Sequence, residues 1–146
     1  MVDQADVIVL DKVDGSRREQ LVALFQSAWW TKPRDADAVE RMLNGSDLTI
    51  GLVDPASDRL IGFARAITDR TFLAVLLDVI VHPDFRESHL GARLMDELLA
   101  RPELATVDSI ELVCQPELVD FYRRWGFTDV VGRSLLMRRT ANPLLA

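Results

Sequence analysis

The sequence predicts an α/β fold in which a mixed, mostly antiparallel central sheet is flanked by helices. Three β-type segments follow one another through short turns between residues 48 and 81, as in an antiparallel meander. The next β-type segment begins at residue 109, beyond a helical stretch, and a crossover of this kind joins parallel strands. With the shorter segments at both ends, we expect about six to seven strands and about four helices.

Composition indicates one globular domain. The chain has 146 residues, of which 49% are hydrophobic and 27% charged, and this fits a single domain over 1–146. No apolar run reaches the roughly 20 residues of a membrane helix, and the start MVDQAD lacks the pattern of a secretory signal. The net charge of −6 disfavours nucleic acid as a partner. Because Cys114 is the single cysteine, an internal disulfide is excluded and a reducing, cytoplasmic location is expected.

The first elements are a short strand and a helix. Residues 7–10 form an apolar run that fits a first strand. Ser16 and Glu19 have the spacing of a capping box, and apolar residues follow at helical intervals, which predicts a helix over 16–30. Pro33 interrupts this pattern and marks a turn.

The three central strands come after a second helix, which Asp35 is placed to cap and Gly45 to end. Turn residues separate the strands, so an antiparallel meander is expected. The third strand is apolar at nearly every position, as in a strand covered by helices on both faces. Asp78 is its one charged residue. The predicted strands span 48–53, 60–68 and 72–81.

A polar loop follows the third strand and leads into a helix. The loop contains Arg86, Ser88 and Gly91, and apolar residues at helical spacing begin at Leu90. A loop that brings its backbone N–H groups to a helix N-terminus attracts phosphate, because those donors are unpaired and the helix dipole is positive there. The sequence therefore predicts an anion site at this loop.

The last third of the chain contains the parallel strand and a fourth helix. The strand is predicted over 109–114. Pro116 suits the first position of the helix, and Gly126 ends it. The tail over 127–139 is expected to form two short strands with Gly132 between them.

Two stretches carry a resemblance to a known family. VHPDFRESHLGARLM resembles the acetyl-coenzyme A signature of the GNAT superfamily of N-acetyltransferases, in which Arg or Gln precedes two variable residues, Gly, one variable residue, and Gly or Ala. ELVDFYRRWGF is similar to the superfamily's second signature, a Phe-Tyr pair followed by Gly-Phe. The order of elements matches as well, so the resemblance covers nearly the whole chain. Within the superfamily, Trp29-Trp30 followed by IGFARAITD and by the strand ending LLDVIVHP resembles a group of small, single-domain, bacterial-type members.

This resemblance implies the GNAT fold, with the sheet splayed between the strands near 72–81 and 109–114. It also implies transfer of the acetyl group of acetyl-coenzyme A to a primary amine of a small molecule, or less readily of a peptide or protein. The amine attacks directly in a ternary complex. The implied partners are an amine substrate and, through edge or C-terminal strands, a second copy in a homodimer, with neither nucleic acid nor membrane.

Cofactor contacts also follow from the resemblance. Backbone groups of the third central strand would pair with the pantetheine arm, and N–H groups of the loop would surround the pyrophosphate. Arg86 would add charge or brace the loop. Gln115 stands where the family often has an amide on the cofactor, although an N-cap before Pro116 is an equal alternative. The implied residues are Val79, Ile80, Val81, Arg86, Glu87, Ser88, His89, Leu90, Gly91, Ala92 and Gln115.

Tyr122 and Asp78 are the candidate catalytic residues. Tyr122 aligns with the tyrosine that protonates the thiolate in many family members, and a phenol is still protonated at neutral pH. From spacing alone, Tyr122 also fits a core aromatic. Asp78 is the candidate general base, because a buried carboxyl group is expected to have a raised pKa. The alternative is a structural carboxylate that accepts backbone or arginine hydrogen bonds.

Trp29 and Trp30 are candidates for the acceptor pocket, where an indole would stack on an aromatic amine or lie over a cation. The alternative places Trp29 in the core and Trp30 over it as half-exposed cover. No metal site is expected, since His82 and His89 are the only histidines and neither has a carboxylate or cysteine partner at ligand spacing.

The loop departs from the family pattern at two positions. His89 replaces its first glycine, which is favoured there because it tolerates unusual φ values and close approach of a pyrophosphate. Glu87 adds a negative charge where a pyrophosphate is expected. These two residues motivate an alternative function, a catalytically weak or inactive member that senses a ligand or interacts with a partner.

Overall fold

The computed structural model describes residue 3 and residues 6–146. The stretch considered for a secretory signal, 1–6, lies mostly outside these residues. The chain falls into two compact units, one ending at Leu112 and the other comprising Val113–Ala146. Whether they form the single domain expected over 1–146 stays a prediction. Among the described residues no helix is both long and apolar enough to cross a membrane.

The first unit is built on a sheet whose strands lie in chain order. Each of its first four strands pairs antiparallel with the next, whereas the last pair is parallel. Both the meander and the parallel crossover are therefore confirmed. The strands are β1 (Ile8–Leu10), β2 (Leu48–Asp54), β3 (Arg59–Thr68), β4 (Leu73–Val81) and β5 (Ser109–Leu112).

Helix α1 (Arg18–Phe25) is shorter than the predicted helix over 16–30. The expected capping box at Ser16 is wrong, because Asp14 accepts hydrogen bonds from both the backbone N–H and the hydroxyl of Ser16. Those bonds hold a 3₁₀ turn ahead of the helix. At the other end the Thr31 hydroxyl donates to the Phe25 carbonyl oxygen at 2.7 Å, within a series of tight turns that end the helix early.

Helix α2 (Ala36–Asn44) begins and ends as predicted. The Asp35 carboxylate accepts a hydrogen bond from the Ala38 N–H at 2.8 Å, and Gly45 is the C-cap. Helices α1 and α2 pack over the sheet around Phe25, whose ring meets that of Phe63 edge to face. The buried residues of this cluster are Val13, Leu21, Leu24, Phe25, Ala28, Val39, Leu43, Val53, Leu60, Phe63 and Ile80.

Helix α3 (Leu90–Leu99) connects β4 to β5 and packs against the middle strands of the sheet. A 3₁₀ helix over Pro83–Ser88 fills the loop before it. The buried face of α3 follows the helical spacing seen in the sequence. It consists of Leu90, Leu94, Met95 and Leu98.

The second unit contains helix α4 (Val119–Arg123), which a 3₁₀ turn over Pro116–Leu118 precedes. The expected pair of strands around Gly132 is wrong: residues 127–142 contain no strand, so the described sheet has five strands, fewer than expected. Strands require partners for their backbone groups. In this tail the N–H groups of Val130 and Asn142 instead bond threonine hydroxyls two residues back.

Candidate active site

A bulge interrupts β4 at Asp78. Between the pairs Phe63–Ile80 and Arg65–Leu77, β4 has one residue more than β3. Asp78 has a φ of +55°, a left-handed conformation that is uncommon for residues other than glycine. Such a conformation persists where surrounding contacts hold it. The bulge redirects the strand immediately before the residues that the resemblance assigns to the cofactor.

The side of β4 that faces β5 is open beyond the bulge. The parallel pairing begins at Leu73–Ser109 and ends at Leu76–Leu112. β4 continues to Val81, so its last five residues have no partner in β5. This is the splay that the resemblance implies. Ile80 pairs with Phe63 of β3 and the Val81 carbonyl oxygen accepts from Arg86, so the groups of 79–81 that lack a partner in β5 are those that point away from β3.

Two arginines hold the carboxylate of Asp78. Arg34, in the connection between α1 and α2, donates from Nη1 to Oδ2 at 2.7 Å and from Nη2 to Oδ1 at 3.0 Å. Arg65, on β3, donates from Nε to Oδ2 at 2.7 Å. The Asp78 side chain is only 5% exposed. This cluster, Arg34, Arg65 and Asp78, joins the α1–α2 connection to the bulge, and we call it the arginine–aspartate cluster.

The expectation of a raised pKa for Asp78 is wrong. Burial raises the pKa of this carboxyl group, but the hydrogen bonds and charges of Arg34 and Arg65 outweigh burial and lower the pKa below its ordinary value. A carboxylate held by two guanidinium groups is a weak base. The geometry thus corresponds to the alternative stated for this residue, a structural carboxylate that accepts arginine hydrogen bonds.

The loop before α3 is braced from within. Arg86 donates from Nε to the Val81 carbonyl oxygen at 3.2 Å, which ties the loop to the end of β4. Ser88 is 8% exposed, and its hydroxyl has no hydrogen-bond partner among the described residues. A buried hydroxyl without a partner is costly, so an added hydrogen-bond partner would stabilise the Ser88 hydroxyl.

His89 joins this loop to α3 in a left-handed conformation, with φ +59° and ψ +28°. The family's glycine would adopt this conformation without strain. The His89 side chain makes no cap hydrogen bond, and the first-turn N–H groups that follow belong to Leu90, Gly91 and Ala92. Glu87 is exposed. The structure therefore brings the predicted loop residues together at the N-terminus of a ten-residue helix.

The two tryptophans lie in the tight turns after α1. Their rings meet edge to face, with centroids 5.8 Å apart. Trp29 is 52% exposed, whereas Trp30 packs against the core cluster of α1 and α2. The alternative that placed Trp29 in the core and Trp30 over it is therefore wrong, since Trp29 is the exposed residue of the two. The reason is that α1 ends before Trp29 and the turns rotate the Trp29 side chain outward. Trp29 is the tryptophan with surface available to a ligand.

Tyr122 and Gln115 belong to the second unit. Tyr122 is 7% exposed, and its ring meets those of Phe121 and Phe127 edge to face. Burial, followed by the nearby Cys114, raises the pKa of Tyr122 to about 12. Gln115 occupies the N-cap position of the turn before α4 but makes no side-chain cap hydrogen bond, so the capping alternative is not realised.

Arg34 and Arg65 are the site residues that sequence reasoning missed. A signal was present, since a lone acid in an otherwise apolar strand requires a cation or hydrogen-bond donors nearby. Which of the arginines supplies them depends on pairing across 44 and 13 residues of chain. In the part of the chain that the structure describes, no three or more His, Cys, Asp or Glu side chains gather as a metal site.

Comparison with known proteins agrees with this geometry. Residues 13–137 match the acetyltransferase (GNAT) domain family. This chain belongs to the GNAT family. A crystal structure described as a GNAT-family acetyltransferase, from Xanthomonas campestris pv. campestris, aligns with a TM-score of 0.77 and 29% identity, covering 92% of this chain and 93% of that one. The α/β GNAT fold expected from the sequence is thereby confirmed.

Two curated relatives of this GNAT chain are named as N-acetyltransferases. The uncharacterized N-acetyltransferase ycf52 of Porphyra purpurea is 37% identical over 110 residues, which are 74% of this chain and 63% of that protein. GCN5-related N-acetyltransferase 1, chloroplastic, of Arabidopsis thaliana is 30% identical over 132 residues, 88% of this chain and 66% of that protein. The chain thus spans less than two thirds of the length of these relatives.

Proposed function

We propose that this GNAT chain transfers the acetyl group of acetyl-coenzyme A to a primary amine of a small molecule, by direct attack in a ternary complex. A peptide or protein amine is the less favoured acceptor. Family membership supports the reaction class, and the open side of β4 beside a helix N-terminus supports the cofactor. The buried, unpartnered hydroxyl of Ser88 is the single observation that most directly supports a ligand at this loop.

The residues present fit acetyl-coenzyme A. Backbone groups of Val79, Ile80 and Val81 would pair with the pantetheine arm as an added strand. The N–H groups of 87–92, together with the Ser88 hydroxyl, would bind the pyrophosphate, where the helix dipole favours negative charge. In this proposal Arg86 braces the loop through Val81, and Gln115 remains a proposed cofactor contact.

Acetyl-coenzyme A, when bound, would supply the thioester carbonyl carbon to which the amine nitrogen forms its new bond as the carbon–sulfur bond breaks. Tyr122 is the proposed general acid for the departing sulfur, because its raised pKa keeps the phenol protonated at neutral pH. A backbone N–H of 79–81 would stabilise the oxyanion. An acceptor that starts as the ammonium loses one proton to solvent before the attack and a second proton after it. One of these two protons balances the proton that Tyr122 gives to the sulfur, because solvent restores the phenol, and the other is released to water or buffer.

Asp78 is the candidate for the general base on sequence grounds. Its lowered pKa and its two guanidinium partners support a structural role instead, so proton removal from the amine is proposed to run through solvent. Trp29, with its exposed indole, is the proposed contact for the acceptor. Trp30, which packs against the core cluster, would hold the Trp29 ring in place through their edge-to-face contact.

Thiol release with a panel of primary amines tests the proposal. We expect release that requires both an amine and acetyl-coenzyme A, with initial-rate patterns of a ternary complex. Calorimetric titration with acetyl-coenzyme A is the companion measurement. Absence of binding at millimolar ligand would exclude the proposed cofactor and with it the reaction.

The loop supports a second candidate function. His89 holds a strained conformation where the family has glycine, and Glu87 places a carboxylate in the same loop. A catalytically weak or inactive member that senses a ligand or contacts a partner would tolerate both. Cofactor binding without amine-dependent thiol release would favour this second function.

Assembly and location complete the proposal. A homodimer is proposed because the tail of the second unit exposes large apolar side chains. A reducing compartment is proposed because the chain has a single cysteine, with the cytoplasm as the expected location. No nucleic acid or membrane partner and no metal are part of the proposed reaction.

A further inference from the structure

The arginine–aspartate cluster contains more positive charge than its single carboxylate, Asp78, can neutralise. Both guanidinium groups pair with Asp78, which is the only carboxylate in ion-pair contact with either of them among the described residues. Two cations and one anion leave one surplus positive charge. The side chains of Arg34 and Arg65 are only 30% and 13% exposed, so water solvates this charge incompletely.

Donor capacity remains in the cluster. The hydrogen bonds of Arg65 use Nε, to Asp78, and Nη1, to the Ser46 hydroxyl at 3.4 Å, so its Nη2 takes part in neither. Arg34 is held in place by Asp78, by the Phe25 ring 5.0 Å below its guanidinium, and by the Met42 sulfur. The guanidinium groups are therefore pre-positioned, which lowers the entropy cost of binding an anion.

The cluster lies where an acceptor would approach the proposed thioester. Asp78 directly precedes the strand residues 79–81, which lie within about 10 Å of it at the usual rise per strand residue. Arg34 belongs to the same α1–α2 connection as Trp29. The surplus charge is thus adjacent to the proposed acetyl site, and Arg34 comes from the same connection as the proposed acceptor surface at Trp29.

We propose that Arg34 and Arg65 bind an oxyanion group of the acceptor, so that the substrate is an amine that also carries a carboxylate or a phosphate. This inference rests on the proposed function and narrows its substrate class. A guanidinium group forms charge-assisted bonds to either oxyanion, and a carboxylate or phosphate would neutralise the surplus charge. The short distance to the bulge favours acceptors in which the amine and the anion are a few bonds apart.

The same charge also selects among acceptors. The cluster disfavours acceptors that carry a second positive charge in place of the oxyanion, such as polyamines, because like charges repel.

Matched pairs of amines test the inference. The pairs are propylamine with β-alanine, phenethylamine with phenylalanine, and ethylamine with 2-aminoethyl phosphate, so that carboxylate and phosphate are tested separately. The measured quantity is the ratio of kcat/KM for the anionic member to that for the neutral member. Amine basicity within a pair is the same for every variant, so changes in this ratio between variants report on the cluster.

We expect Arg34→Gln and Arg65→Gln each to lower the ratio by about tenfold, the effect of one charge-assisted hydrogen bond. Arg34→Lys retains the charge and should retain most of the ratio. Asp78→Asn removes the competing carboxylate and should raise the ratio, even where it lowers overall activity. General damage to folding affects both members of a pair and leaves their ratio unchanged.

Arg18→Gln is the matched control. Arg18 is 32% exposed, close to the exposure of Arg34, and its ion-pair partners Glu19, Asp37 and Glu40 all lie on α1 and α2. The Arg18→Gln variant should have the same ratio of kcat/KM for the anionic and the neutral amine as the wild type. Where turnover is too slow to measure, calorimetric titration of the same amines in the presence of coenzyme A gives the ratio from dissociation constants.

The outcomes separate this inference from the proposed function. Unchanged ratios in all cluster variants, or failure of every anionic amine to bind while acetyl-coenzyme A binds, would overturn the inference and leave the proposed function standing. Absence of acetyl-coenzyme A binding would instead overturn the proposed function.

Discussion

His89 holds a backbone conformation that costs a residue with a side chain about 1 kcal/mol relative to glycine. Because it lies at the N-terminus of α3, its strain and bulk act where the pyrophosphate is proposed to bind. We predict that the double variant His89→Gly, Glu87→Gly binds acetyl-coenzyme A about five- to tenfold more tightly, as measured by calorimetry. The single variant Glu87→Gln removes only the negative charge of Glu87 and leaves the backbone conformation of His89 unchanged, so it measures the effect of the charge alone. Equal or weaker affinity in the double variant would refute this account of the loop.

Ser88 gives a prediction in which stability and binding change in opposite directions. Its buried hydroxyl lacks a partner in the free protein, so Ser88→Ala removes a desolvation cost. We expect the free energy of unfolding of the free protein to rise by up to about 1 kcal/mol and acetyl-coenzyme A to bind about three- to tenfold more weakly. Thermal unfolding with and without the ligand measures both effects.

Ser109→Ala is the control for this prediction, because Ser109 is exposed on β5, outside the loop. It should change neither quantity. A Ser88→Ala variant that binds acetyl-coenzyme A as tightly as the wild type would show that the hydroxyl serves no ligand.

Tyr122 gives a prediction about pH. Its pKa of about 12 keeps the phenol protonated through the usable range, so a loss of activity at pH 9–10 would arise from another group. We predict that Tyr122→Phe lowers kcat by about 10²-fold or more while leaving the dissociation constant of acetyl-coenzyme A within about twofold. Unchanged turnover in this variant would exclude Tyr122 as the acid.

At the level of elements, Asp78 connects β4, β3 and the α1–α2 connection through its two arginines. Its pKa is lowered on folding, so the stability it contributes is present above the pKa of the unfolded chain and is lost as pH falls through the folded value. We predict that Asp78→Asn costs about 3 kcal/mol at pH 7, because it leaves two partly buried guanidinium groups without a counter-charge. As pH falls below the lowered pKa of Asp78 in the folded protein, the two proteins should converge in stability.

Urea unfolding between pH 2 and pH 7 measures this dependence. Asp120→Asn is the control, since the Asp120 side chain is 90% exposed and its pair with Arg123 is solvated. If Asp78→Asn and wild type keep a constant difference in stability across this pH range, the stability contributed by the arginine–aspartate cluster does not depend on the charge of Asp78.

Elements whose signals are local were predictable from the sequence. The cap at Asp35 and the alternation of turns and strands over 48–81 require only neighbouring residues, and the structure contains them. The end of α1 depends on Thr31, whose hydroxyl reaches back six residues to a helix carbonyl. The tail was predicted to form strands from its apolar residues, but a strand also needs an edge to pair with, which local sequence does not specify.

At the level of the whole molecule, the loop residues of the candidate site were found through two signatures, whereas the arginine–aspartate cluster was not. The loop is contiguous in sequence, so its pattern is visible there. The cluster joins Arg34, Arg65 and Asp78 from three elements, and its geometry follows from the register of β3 and the bulge in β4. A site whose residues have a fixed spacing along the chain can be predicted from the sequence. A site whose side chains come together only in the folded protein cannot.

The tail of the second unit leads to a prediction about assembly. Five large apolar side chains within eight residues are each more than half exposed, an arrangement that favours self-association. We predict a homodimer that dissociates on dilution, detected by sedimentation velocity from about 1 to 100 µM protein. Leu135→Gln with Met137→Gln should shift the protein to the monomer without lowering its melting temperature, because these side chains contribute little to the core of one copy.

Ile67→Gln is the control for this prediction. It removes an exposed apolar side chain from β3 and should leave the dimer intact. A wild-type protein that sediments as a monomer throughout this range would contradict the prediction, and the tail would then be a solvated surface. The exposed side chains are Val130, Val131, Leu135, Leu136 and Met137.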